Sequence, residues 1–132
     1  MKISDMFTIL SKIMSYIFKQ VGSLYLMLIA CVCLDYISGI LNAIVHKKLS
    51  SKIGAKGICR KILIFIIVGL SHLIDKLIIG NGSTLQTAIT LFYIANEGIS
   101  ILENAEDIGL PIPKILENTI INLKDDVNHS NK

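Results

Sequence analysis

Three carboxylates sit inside stretches of the chain that are otherwise apolar: Asp35, Asp75 and Glu97. Two imidazoles, His46 and His72, lie in or beside the same stretches. Carboxylates and imidazoles together could bind a metal or relay a proton. Metal chemistry has little support, because no H-E-x-x-H or comparable ligand spacing is present. Serines are plentiful, but no G-x-S-x-G elbow presents one as a nucleophile. Gly54 to Gly57 reads GAKG and lacks the rest of a phosphate-binding loop. Cys31 and Cys33 form a C-x-C pair without His or Cys neighbours, and Cys59 stands apart. They read as reduced thiols rather than metal ligands. No catalytic residue, cofactor site or metal site is expected.

The polar residues fall instead into stripes at three- and four-residue steps, the spacing of one helix face. The first stripe is Asp35, Ser38, Gly39, Asn42 and His46. The second is Ser71, His72 and Asp75. The third, Gln86, Thr90, Tyr93, Glu97, Ser100 and Asn104, runs the length of its segment. Polar groups inside a membrane usually face a bundle interior or a water-filled path. They could also serve only as helix-to-helix hydrogen bonds, with Gly39 and Ala43 permitting close approach. The third stripe is longer than pairing needs, so the expectation is a pore-facing surface built from Asp35, Ser38, Asn42, His72, Asp75, Gln86, Thr90, Tyr93, Glu97 and Ser100.

The elements that must carry these stripes are apolar helices. Of 132 residues, 52% are hydrophobic and 17% charged, with mean hydropathy +0.64; a soluble domain carries about a quarter charged residues. Spans are expected at about 22–45, 62–79 and 85–102. The first, at 1.5 Å per residue, reaches roughly 36 Å, enough for a hydrocarbon layer of about 30 Å. A central Asp35 costs about 2.5–3.5 kcal/mol on the insertion scale, and the Leu, Ile and Val residues of that span return roughly 3–7. The third span carries fewer aliphatics against Glu97, so its insertion is marginal and it needs partners.

Residues 46–61 (HKKLSSKIGAKGICRK) hold six fixed positive charges and no negative one. Lys47, Lys48, Lys52, Lys56, Arg60 and Lys61 therefore read as a cytoplasmic loop that determines topology and attracts anionic lipid; no nucleic-acid partner is expected. The turn Gly80-Asn81-Gly82-Ser83 is uncharged, as an outer loop should be. With three spans the C-terminus is cytoplasmic and the N-terminus outside; a fourth crossing by the N-terminal helix would bring both ends inside. Residues 2–19 read as an amphipathic helix, with Ile3, Met6, Phe7, Leu10, Ile13, Met14, Ile17 and Phe18 on one side. It would lie on the membrane surface or pack on the protein's own bundle. Gly109 should stop the third helix, Pro111 and Pro113 make a corner, and Lys114 to Asp126 form a short helix with Ile115, Leu116, Ile120, Leu123 and Val127 on one side. The tail from Asn128 to Lys132 is polar and expected to be disordered.

Leu34 to Asp75 (LDYISGILNAIVHKKLSSKIGAKGICRKILIFIIVGLSHLID) resembles the phage-lysis and toxin-secretion holins. The likeness lies in an Asp with small residues in the first span, a basic Leu-Ser-Ser-x-x-Gly-x-x-Gly loop, and a second span ending in Asp. Phe92 to Leu116 (FYIANEGISILENAEDIGLPIPKIL) is similar too, through its Asn-Glu pair and Gly-Leu-Pro-x-Pro corner. The resemblance covers residues 22 to 123 and leaves the N-terminal helix outside. It implies a bacterial cytoplasmic-membrane protein, not an enzyme and without a cofactor. Such a protein forms homo-oligomers and opens lesions through which an endolysin or a toxin leaves the cell. An antiholin would share the fold and is a possible partner. A small proton-coupled transporter is the alternative, although no inverted repeat is visible.

The expected fold is all-α: an integral membrane bundle of three transmembrane helices, an N-terminal amphipathic helix (1–20), a transmembrane domain (21–102) and a charged cytoplasmic segment with a short helix (103–132). Replacing the six basic residues of 46–61 with Gln should scramble orientation, since the outer loop offers no competing charge. A reporter fused after Lys132 reads the result; one that stays cytoplasmic removes the loop as the determinant.

Overall fold

The computed structural model describes residues 2–80, 82 and 84–130. Asn81 and Ser83 of the expected outer turn, Asn131 and Lys132 of the tail, and the side chains of Ile17, Phe18 and Lys19 lie outside the described residues. Among those residues the chain is all-helical and has no strand. It forms α1 (Ile3–Val45), α2 (Ser51–Ile74) running into a π-helical turn (Asp75–Ile79), α3 (Thr84–Ile108) and α4 (Lys114–Ser130).

The expected amphipathic segment and first span belong to one long helix, broken at Gly22 (φ 75°, ψ 165°). That conformation is almost exclusive to glycine, because a Cβ would collide with the backbone. Among the described side chains of the N-terminal arm, Ile3, Phe7 and Leu10 are exposed.

The basic loop is much shorter than the charge pattern implied. Ser50 caps α2, its Oγ accepting from Ile53 N at 3.2 Å, so the chain is helical from Ser51. Only residues 46–50 bridge the two helices, with Lys47 in a left-handed turn (φ 56°). A short polar cap residue outcompetes the solvation of a charged loop, because it satisfies an orphan amide at the helix start. Lys47 and Lys48 stay in the connection, while Lys52, Lys56, Arg60 and Lys61 are on α2.

The polar pairs give the register. Tyr25, just after the Gly22 break in α1, meets Gln86 near the start of α3, and Asn42 meets Asp107 near the ends of both helices. α1 and α3 are therefore parallel. α2 runs the other way, with His72 at Gln86 and Lys61 at Glu97. α4 turns back along the opposite side of α3: Ile120 packs at Gly98, and Lys124 reaches Asn96. α3 is thus the central helix, touched by every other one. A small apolar core of Leu28, Val32, Ile64, Val68 and Ile94 lies where α1, α2 and α3 meet.

Gly109 (φ 104°) ends α3 as expected, with Leu110 N donating to Ala105 O at 3.0 Å and Gly109 N to Glu106 O at 2.9 Å. The expected face of α4 is split. Leu123 and Val127 turn inward with Ile120, whereas Ile115 and Leu116 are exposed.

Asp75 closes the far end. Its Oδ1 accepts from Leu85 N at 3.2 Å and its Oδ2 from Gln86 N at 2.7 Å, and the residue is only 1% exposed. A carboxylate from the preceding helix thereby takes two orphan amides and meets the positive end of the α3 dipole. Asp75→Ala should destabilise the fold by about 1–3 kcal/mol, because both amides lose their buried acceptor. Hydrogen exchange at Leu85 and Gln86 should accelerate selectively; unchanged protection there would remove Asp75 as the cap.

Candidate functional site: a buried charge cluster between three helices

Lys61 stands on the inner face of α2, one step above Ile64, Val68, Ser71 and Asp75, the positions at which that helix is buried. Its Nζ lies between two carboxylates. It donates to Asp35 Oδ2 on α1 and, at 2.5 Å, to Glu97 Oε2 on α3. The side chains of Lys61, Asp35 and Glu97 are 17%, 9% and 5% exposed. An isolated buried carboxylate is strongly disfavoured, and a shared ammonium offsets that cost only when other lone pairs are also satisfied. Asn104 Nδ2 supplies the next bonds, to Asp35 Oδ1 at 3.2 Å and to Ser38 Oγ at 2.9 Å.

Both ends of the bundle continue the pattern. At one end Gln86 Nε2 donates to Tyr25 Oη, and Gln86 Oε1 accepts from His72 Nδ1 at 2.7 Å. Thr90 returns its hydroxyl to Gln86 O at 2.7 Å. At the other end Asn42 Nδ2 donates to Asp107 Oδ2 at 3.2 Å, while Asn42 Oδ1 is buried without a partner. Tyr93 and Ser100 line a cleft of about 460 Å³ between α1 and α2, with Asp35, Lys61 and Glu97 on its floor. Among the described residues no group of His, Cys, Asp and Glu is placed to hold a metal.

The structure therefore gathers most of the expected polar residues on one inward surface. Asp35, Ser38, Gln86, Thr90, Glu97 and Asn104 belong to it directly. His72 joins through Gln86, and Asp75 serves as a cap. The α3 stripe finds cover within the single chain: Thr90 is 1% and Glu97 4% exposed. The physical reason is Lys61, which the charge pattern had assigned to a solvated loop. A helix beginning at the Ser50 cap would have revealed it, since 61, 64, 68, 71 and 75 share one helical face. Tyr25 was also missed; nothing in its apolar surroundings marks it as the partner of Gln86. Glu103, Glu106 and Asp107, in the last turns of α3, make no ion pair with the basic connection among the described residues, although Asp107 and Lys48 border one hollow of about 340 Å³.

The apolar surface points the other way. Among the described residues, Gly22–Val45 and Ser51–Ile79 are the two helices long and apolar enough to cross a membrane. Their large aliphatics are outward: Leu34, Leu41, Ile62, Ile66 and Leu70 are each more than half exposed. In a soluble protein such residues would be the core. The third expected span does not pass the same test of composition, yet it lies beside α1 over the same length.

A family model described as the bacteriophage holin family matches residues 12–125. The chain belongs to the bacteriophage holin family. The match extends further toward the N-terminus than the resemblance read from the sequence. Among relatives of this holin-family chain, a protein described as a probable holin from Bacillus phage phi105 is 41% identical over 102 residues, 77% of this chain and 74% of the relative. An uncharacterized protein of Listeria monocytogenes is 45% identical over 109 residues, 83% of this chain and 77% of its own length. One from Bacillus subtilis is 36% identical over 115 residues, 87% and 81% of the two chains. No solved structure matches. Holin-family membership points to a non-enzymatic protein that acts in a membrane.

Lys61→Met should destabilise the holin-family fold by about 3–5 kcal/mol, because it leaves two carboxylates buried without a counter-charge. Adding Asp35→Asn and Glu97→Gln should restore most of the loss. Thermal unfolding in detergent checks this; a triple variant whose loss is the plain sum of its parts would show that the three groups are not coupled.

Proposed function

We propose that this protein is a holin of the bacterial cytoplasmic membrane that assembles with copies of itself and opens lesions releasing an endolysin or a protein toxin. The family match over residues 12–125 is the observation that carries the reading. The outward aliphatic faces of α1 and α2 support a multi-pass membrane location, with lipid as the first partner. The parallel register of α1 and α3 supports three spans, since α3 shares whatever depth α1 occupies. The basic connection at 46–50 is then cytoplasmic, with the N-terminus outside and the C-terminus inside. The exposed apolar side of the N-terminal arm suits the membrane interface.

In this reading the charge cluster is a latch. Asp35, Lys61 and Glu97 satisfy one another in the closed chain. During opening, water replaces these pairings, and the α3 face of Gln86, Thr90, Tyr93, Glu97 and Ser100 meets the aqueous path. Several copies are required, because one helix cannot surround a water-filled opening. An antiholin of the same fold would act by mixing closed copies into the assembly.

Timed expression with a companion endolysin tests the proposal. Viability and membrane integrity should hold for an interval and then fail abruptly, with release of the endolysin. After that moment single cysteines replacing Thr90 and Glu97, in a variant without Cys31, Cys33 and Cys59, should react with a membrane-impermeant thiol reagent. Cysteines replacing Leu91 and Ile101 should stay protected. A viable culture with altered resistance to a small cation would replace the holin reading with a transporter.

A further inference from the structure

α4 occupies a place that a membrane-crossing α3 cannot leave it. The polar pairs run α1 and α3 side by side from Tyr25–Gln86 to Asn42–Asp107, so the two helices share one depth. α4 returns along the opposite side of α3 and ends beside its start, where Leu123, Asp126 and Val127 border a hollow with Thr84, Ala88 and Leu91. If the docked pair crossed together, the C-terminal end of α4 would emerge opposite the basic connection. Its outer surface would also hold exposed Asn122, Asp125 and Asp126 at hydrocarbon depth. Charges there oppose insertion far more strongly than the few aliphatics of α4 favour it.

The attachment of α4 does not involve the charge cluster. Ile120 sits in the notch at Gly98, where an added Cβ would lie 3.3 Å from it. Lys124 Nζ donates to Asn96 Oδ1 at 3.2 Å and stands 5.6 Å from the Phe92 ring centre. A hollow of about 480 Å³ lies beyond, bordered by Leu123, Asp126 and the buried Val127. A separate hinge connects the two helices: Gly109 at φ 104°, followed by Pro111 and Pro113. The charge cluster grips the other face of α3, so α4 can leave without releasing it.

We propose that α4 is a displaceable cover of α3: it is docked while the chain is outside the bilayer, swings to the side of the basic connection as α3 crosses, and keeps lesions from opening while it stays docked. The inference rests on the holin reading, and the experiment separates the two.

The full-length chain, with its three native cysteines replaced by alanine, is mixed with phosphatidylethanolamine–phosphatidylglycerol vesicles containing a protein-sized fluorescent dextran. The parent should release the dextran. Gly98→Cys with Ile120→Cys should cross-link on oxidation before vesicles are added, lose release while oxidised, and regain it on reduction. Ile120→Ser, which loosens the notch, should release sooner than the parent. Asn128→Cys should react with an impermeant thiol reagent from the same side as Lys48→Cys. Failure to cross-link, equal release by oxidised and reduced protein, or labelling of Asn128→Cys from the side opposite Lys48→Cys overturns the cover. A silent parent counts against the holin reading instead, and the side of Asn128→Cys still decides the fate of α4.

Discussion

One ammonium group placed between two carboxylates governs the arrangement of this molecule. Asp35, Lys61 and Glu97 come from three different helices, and none could be buried alone at reasonable cost. Their mutual satisfaction fixes which faces of α1, α2 and α3 meet. The bonds from Asn104 extend the arrangement along one end, and those of Gln86 extend it along the other. The apolar core between them is small, so the polar contacts determine the register and the aliphatic contacts fill the space.

The same constraint explains why the most polar of the three expected spans lies at the centre. α3 carries a stripe that lipid could not satisfy and that water would dissolve. Enclosing it between α1 and α2 removes it from both. The strongly apolar helices then go outside, with their aliphatic faces turned toward the surroundings. This inversion suits a bilayer, where an outward Leu or Ile costs nothing and an inward polar group gains a partner. In the proposed holin reading, the inward stripe is a polar surface held in reserve, available to water only when its partners separate.

α4 is at odds with that environment. It is the least apolar helix, and it meets α3 through Ile120 in the Gly98 notch, Lys124 and the inward Leu123 and Val127. The three helices of the charge cluster and α4 are therefore held by different forces. The charge cluster lies on one face of α3 and α4 on the other. In the proposed reading, one contact can therefore give way while the other persists.

Much of this was determined by the sequence alone. The all-helical class follows from polar and apolar residues recurring at three- and four-residue steps. The membrane character follows from two long aliphatic runs flanking a basic stretch. Gly109 and the two prolines mark a helix end by backbone geometry, and such local signals survive in any tertiary setting. The polar stripes were also legible, since spacing alone puts Gln86, Thr90, Glu97 and Asn104 on one face. What pairs with what was decided only by tertiary structure. Lys61 reads as one of six loop charges until the Ser50 cap makes its segment helical and turns it inward. Asp75 reads as an intramembrane acid until the turn brings the amides of Leu85 and Gln86 to it. The direction of a stripe, toward its own chain or toward water, depends on a counter-charge 26 or 36 residues away in the chain. No local pattern encodes that distance; the requirement that every buried charge find a partner selects it.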